Sequence, residues 1–251
     1  MIFIGLLTET MDLCIRCSED VSSSLERLHT MGYTCCAVEH YVKALADLKT
    51  CPKIDYYAST TTFNGPAEML SEYQCADGKT PLHVSHQLSG RQLTILSRVT
   101  LDANCTQLQG RHSSPEIQAY DIIGVRVHTD DQIRQAVKLP IDVVQIAAGA
   151  KIRYSHSLLR ELYDSGLTVE LVLEDDVSGN VYHAFHLNRC IRNKPILLSS
   201  GGRVQPVLHT IEQCKKLYKL NTRHIWLAGR RVLSRSAARK HRNNFCNTRF
   251  S

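Results

Sequence analysis

The chain has 251 residues, 43% of them apolar, enough for one large core or two small ones. Its formal charge of +6 is unevenly placed: no Asp or Glu follows Glu212, while eleven Lys or Arg fall between Gln213 and Ser251, leaving 19 of the 30 basic residues to face 24 acidic ones. No apolar run approaches the length that crosses a bilayer, so no membrane partner is expected, and the basic end points to a polyanion.

Met11-Asp12-Leu13-Cys14 reads as a first strand. Ser18 can cap a helix with Glu19 and Asp20 in its first turn and Val21, Leu25 and Leu28 on one face, ending at Gly32. Cys35 to Val38 reads as a second strand, and a helix is expected through Val42, Leu45 and Leu48. Residues 52–90, rich in Ser, Thr, Gly, Pro and Tyr, read as a long irregular connection with at most one short strand or helix. A strand at Leu93 to Leu96 is followed by a loop from Asn104 to Ser114.

Further along, Tyr120 to Val127 reads as a strand, and Thr129 with Gln132 as a capping box ahead of Ile133, Ala136 and Val137. Asp142 to Ala147 is a strand; Leu158, Leu159, Leu162 and Tyr163 form a helix face with Gly166 just past its end. Thr168 to Leu173 is a strand, Phe185 and Leu187 lie on a helix, and Pro195 to Ser199 is a strand. A helix from Pro206 to about Lys219, a last strand at His224 to Leu227 and a basic helix complete the pattern.

Seven or eight β-α units in one file imply a single TIM-like α/β barrel over residues 1–235, with a basic tail over 236–251. An open doubly wound sheet fits the same pattern.

The ten cysteines lack a convincing export signal, since the first residues have no positive flank and meet Glu9 early. They are expected to be reduced and mostly buried in an intracellular protein. Cys14-x-x-Cys17 has no second pair, and His183, His186 and Cys190 have only helical spacing, so no metal or other cofactor is expected. Ser199-Ser200-Gly201-Gly202 is either a phosphate-approaching turn or an ordinary β-α turn. Glu174-Asp175-Asp176 closes a strand, and no other acid–base pair stands out. Cations do stand out near strand ends and in the basic end: Arg98, Arg126, Lys151, Arg153, Arg203, Arg223, Arg230, Arg231 and Arg235 are the expected RNA-binding residues. Such groups make bidentate, salt-sensitive phosphate contacts.

An ordered set of short segments then resembles a known family. Its members are Met11-Asp12-Leu13, Gly32-Tyr33, Ala37-Val38, Leu96-Ser97-Arg98-Val99-Thr100, Tyr120 to Val125, Ile141 to Val144, Asp164-Ser165-Gly166-Leu167-Thr168-Val169-Glu170-Leu171, Pro195 to Gly201 and Asn221-Thr222-Arg223. The set resembles the barrel-shaped protein subunit of ribonuclease P and ribonuclease MRP. The resemblance implies a barrel related to metal-dependent phosphoesterases of the polymerase-and-histidinol-phosphatase type. Those enzymes carry H-x-H at the end of the first strand, where this chain has Asp12-Leu13-Cys14.

The implied role is therefore non-catalytic. It is to support a catalytic RNA that removes the 5′ leader of precursor tRNA, beside a small RNA-binding protein subunit and the other subunits of the particle. The implied compartment is the nucleus, and within it the nucleolus. Ser155-His156 departs from the basic pair that relatives often carry there. The alternative is a phosphoesterase using Asp12, Glu174 and Asp175 around metals.

Overall fold

The computed structural model describes residues 11–16, 24, 25, 28, 33–43, 84–88, 91–103, 114–173, 177–191, 194–201 and 222–247. Its parallel strands are β1 (Met11–Arg16), β2 (Cys35–Val42), β4 (Arg91–Asp102), β5 (Ile122–Thr129), β6 (Val143–Lys151), β7 (Thr168–Val172) and β8 (Ile196–Ser199). They stand side by side in that order, seven among the described residues, and form a nearly closed barrel. β3 (Val84–Leu88) runs antiparallel to the first part of β4. The TIM-like expectation holds and the open sheet does not.

The helices are α1 (Pro115–Gln118), α2 (Asp130–Ala136), α3 (His156–Asp164), α4 (Val177–Cys190) and α5 (Thr222–Asn247). Ser24, Leu25 and Leu28 are also helical and buried. α2 begins on both halves of the expected capping box, with Thr129 accepting from the Gln132 N–H and Gln132 accepting from the Thr129 N–H. α3 is capped by Ser155, which accepts from Leu158 N at 3.2 Å, and it buries Leu158, Leu159, Leu162 and Tyr163. Gly166 follows with φ +86°, the left-handed residue that ends the helix. Among the described residues no helix is long and apolar enough to cross a membrane. Cys14, Cys35, Cys36 and Cys190 are free thiols, and the first three are buried.

Several expectations fail locally. Val42 ends β2 rather than starting a helix, and α1 fills the stretch between the expected loop, which ends at Ser114, and the expected strand at Tyr120. The helix expected from Ser18 is helical where it is described, at Ser24, Leu25 and Leu28, while Leu45, Leu48 and the helix expected from Pro206 lie outside the described residues. The expected strand at His224 to Leu227 is instead the start of α5. Ile225, Ala228, Val232, Ser236 and Arg239 are buried along it, a helical period. The boundary expected between residues 235 and 236 falls inside this one helix.

α5 closes the end of the barrel where the strands begin. Its Ala228 and Val232 pack with Leu13, Cys35, Ala37, Leu96, Ile122, Val143 and Leu197, the lower layer of the barrel interior. The larger core lies between the strands and the surrounding helices. The β8–β1 seam is tied by Asp12, which accepts from Ser200 N at 3.2 Å, and by Gly201 N donating to Cys14 O at 3.0 Å.

Burial pushes the Asp12 carboxyl up to about 6, against the hydrogen bonds from Ser200 and Cys14 that pull it down. A raised folded pKa means that the fold binds the Asp12 proton more tightly than the unfolded chain. The stability this contributes is therefore present at low pH and lost as pH rises through about 6. Asp12→Asn should remove that loss. In urea unfolding, the variant should gain on the parent between pH 4 and pH 7, by up to about 3 kcal/mol. A stability difference that does not change with pH would refute the assignment.

Candidate nucleic-acid interface

The barrel interior above the apolar layer is ionic. Arg98 projects from β4 and is fully buried. Its Nη1 donates to Glu170 Oε1 at 2.7 Å and to Leu13 O at 2.7 Å, its Nη2 to Glu170 Oε2 at 2.5 Å, and its Nε to Thr100 Oγ1 at 3.0 Å. Glu39 Oε1 lies 3.4 Å from Nη2 and accepts the Thr100 hydroxyl at 2.5 Å. Ser199 donates to Glu170 at 2.6 Å, and Gln145 Nε2 reaches both Glu39 and Glu170 at 3.4 Å.

Burial alone would lower the Arg98 pKa, but Glu170 opposes it and holds the guanidinium charged. Gly124 leaves the room this needs: a Cβ there would sit 3.3 Å from Arg98 Nη2 and 3.1 Å from Thr100 Oγ1. Arg98 was expected to meet RNA, and the structure corrects this. With no exposure and every donor nitrogen engaged inside the barrel, it has no face to offer a phosphate.

At the opposite end from α5, Asp102 accepts from Tyr41 and lies 3.2 Å from His128 Nε2. Arg126 is half-buried, its guanidinium 5.5 Å from the centre of the Tyr41 ring. Lys151 ends β6 and Arg153 follows it, both exposed.

The basic helix is the larger surprise. Arg231 Nε donates to Gly166 O at 3.2 Å and its Nη2 to Tyr163 O. Arg235 donates to Ile141 O and Ser165 O, each at 2.5 Å. Ser236 donates to Asp121 O, and Lys240 pairs with the Asp121 carboxylate. Arg239 grips Asp142 with Nε and Nη2 and adds Asp121 O at 2.7 Å. Burial pushes the Asp142 carboxyl up while Arg239 pulls it down.

Residues 231, 235 and 239, and likewise 236 and 240, are four apart. One face of α5 therefore bolts onto the loops that enter β5, β6 and β7. Arg231 and Arg235 serve the fold, and each stays half-buried. Arg230 is exposed on the other side of α5. Arg223 falls in the first turn of α5, and its side chain, like the whole of Arg203, lies outside the described residues.

The expected RNA-binding residues are thus not one patch. Lys151, Arg153 and Arg126 lie toward one end of the barrel, Arg230 lies on the helix at the other, and Arg98 lies within. In the segment after β8, Ser200 and Gly201 spend their N–H groups on the β1 seam rather than offering them to a ligand, and Gly202 lies outside the described residues. The phosphoesterase alternative is not favoured: Asp12 is fixed in that seam, and among the described residues no group of three or more His, Cys, Asp or Glu could hold a metal ion. Glu174 and Asp175 lie outside the described residues.

The family model described as RNase P subunit p30 matches residues 9–220. The chain belongs to the RNase P subunit p30 family. Membership makes it a protein subunit of ribonuclease P. Among solved structures, a chain of an archaeal ribonuclease P, determined by cryo-electron microscopy with mature tRNA, matches with a TM-score of 0.57 at 13% identity. The match covers 90% of this chain and 91% of that one, and at this identity it shows a shared fold. The search of curated proteins returned no match.

The segments that carried the resemblance have structural roles in the barrel. Asp121, Ile141, Asp142, Ser165 and Gly166 are the sockets for α5, and Arg98, Gly124 and Glu170 build the buried ionic layer.

Proposed function

We propose that this ribonuclease P subunit does not itself cleave RNA. It binds the particle's RNA and supports a catalytic RNA in removing the 5′ leader of precursor tRNA. The observation that carries the reading is the p30 family match over residues 9–220. The barrel offers exposed Lys151, Arg153 and Arg230 as phosphate contacts. Its interior charges are consumed by one another, which suits a scaffold better than a reaction centre.

The partners in this reading are ribonuclease P RNA, a small RNA-binding protein subunit and further subunits of the particle. The same chain also serves ribonuclease MRP, and its place is the nucleus, concentrated in the nucleolus. Sequencing the RNA that co-purifies with the tagged chain from its own cells tests this. Ribonuclease P RNA should dominate, with ribonuclease MRP RNA beside it, and imaging of the tagged chain should give a nucleolar signal. Recovery of neither RNA would end the reading; recovery of only one would narrow it.

A further inference from the structure

α4 turns an aromatic face outward. Tyr182 is 51% exposed and Phe185 59% exposed, three residues apart on the helix, with His186 beside Phe185 and the exposed Arg189 one further turn along. The Tyr182 and His186 rings are 4.4 Å apart, Phe185 meets His186 edge-on at 5.5 Å, and Tyr154 stacks on His186 at 6.2 Å with only 13° between planes. Four rings therefore adjoin across α4 and the segment leading into α3.

The platform is hydrogen-bonded underneath. Buried His183 bonds the Tyr154 hydroxyl at 2.8 Å through Nδ1 and Ala148 O at 3.0 Å through Nε2. Arg153 is exposed next to Tyr154, and neither Arg153 nor Arg189 holds an ion pair among the described residues. Isolated exposed apolar side chains are ordinary. Adjoining exposed rings with exposed arginines close by in the chain match one chemistry well: bases stack on the rings while the arginines take the phosphates.

We infer that Tyr182, Phe185 and His186, with Arg153 and Arg189, form a platform for an unpaired RNA strand. A paired strand keeps its bases stacked inside the helix, so the rings select single-stranded segments. The inference rests on the RNA-binding reading above and deepens it.

The test uses the full chain and two probes, a single-stranded oligouridylate of about a dozen nucleotides and a duplex of similar length, within ordinary site sizes. The Tyr182→Ala/Phe185→Ala variant should lose about tenfold or more in affinity for the single strand and less than about twofold for the duplex. Both side chains are exposed, so thermal unfolding should be unchanged. Photoreactive uridine in the single strand should crosslink to Tyr182 or Phe185. Equal losses on both probes, or no loss, would overturn the platform. So would unchanged RNA affinity together with lost binding of another ribonuclease P protein, which would make this a protein-docking face. Failure of the parent reading looks different: the unmutated chain would recover no ribonuclease P RNA from cells.

Discussion

Glu170→Leu is expected to be the most damaging single substitution in the barrel, costing about 3–5 kcal/mol in denaturant unfolding. The change strands Arg98, which is fully buried and makes two of its strongest hydrogen bonds to Glu170. Glu39 remains, but at 3.4 Å and already shared with Thr100 and Gln145. A loss of that size is a large part of an ordinary domain's 5–15 kcal/mol or so. Most of the cost comes from the uncompensated charge rather than from the pair itself, so Arg98→Met/Glu170→Leu should be more stable than Glu170→Leu alone. If the double variant proved no better than the single one, the interior would not be governed by charge balance.

Arg239→Met should have the next largest effect, about 3 kcal/mol, because it leaves buried Asp142 without its counter-ion. The sign of its pH dependence follows from the same geometry. The Asp142 pKa is already raised by burial and would rise further without Arg239. Protonation would then relieve the damage, and the deficit should shrink as the solution is acidified toward pH 5. Asp142→Asn in the same chain should recover much of the loss at neutral pH. A deficit independent of pH and of Asp142 would mean that Arg239 acts through packing alone.

The capping box at Thr129 and Gln132, the Gly166 stop and the alternation of strands and helices were legible because each is a local rule satisfied by nearby residues. The end of the chain was misread for a physical reason. Ile225-Trp226-Leu227 is as apolar as a short strand, and the helical period shows only when Ser236 and Arg239 count as buried. They are buried because Asp121 and Asp142 receive them from more than a hundred and about a hundred residues away respectively.

Arg98 failed for a related reason, since a strand-end arginine looks the same whether it meets water or a carboxylate across the barrel. One signal was available. In strands covered on both faces, polar residues at matching depths, here Glu39, Arg98, Gln145, Glu170 and Ser199, must satisfy one another inside. The aromatic face of α4 escaped because Phe185 reads as a core residue until its exposure is seen.

α5, the described part of the acid-free basic end, is not a free arm awaiting RNA but the floor of the barrel. Hydrogen exchange of the isolated full chain tests it most directly. The amides of Ala228 to Arg239 should exchange as slowly as those of β5 and β6, opening only with the whole barrel. If they exchange at the rate of an unstructured segment while the strands stay protected, α5 is not the floor, and its arginines return to the surface as candidates for RNA.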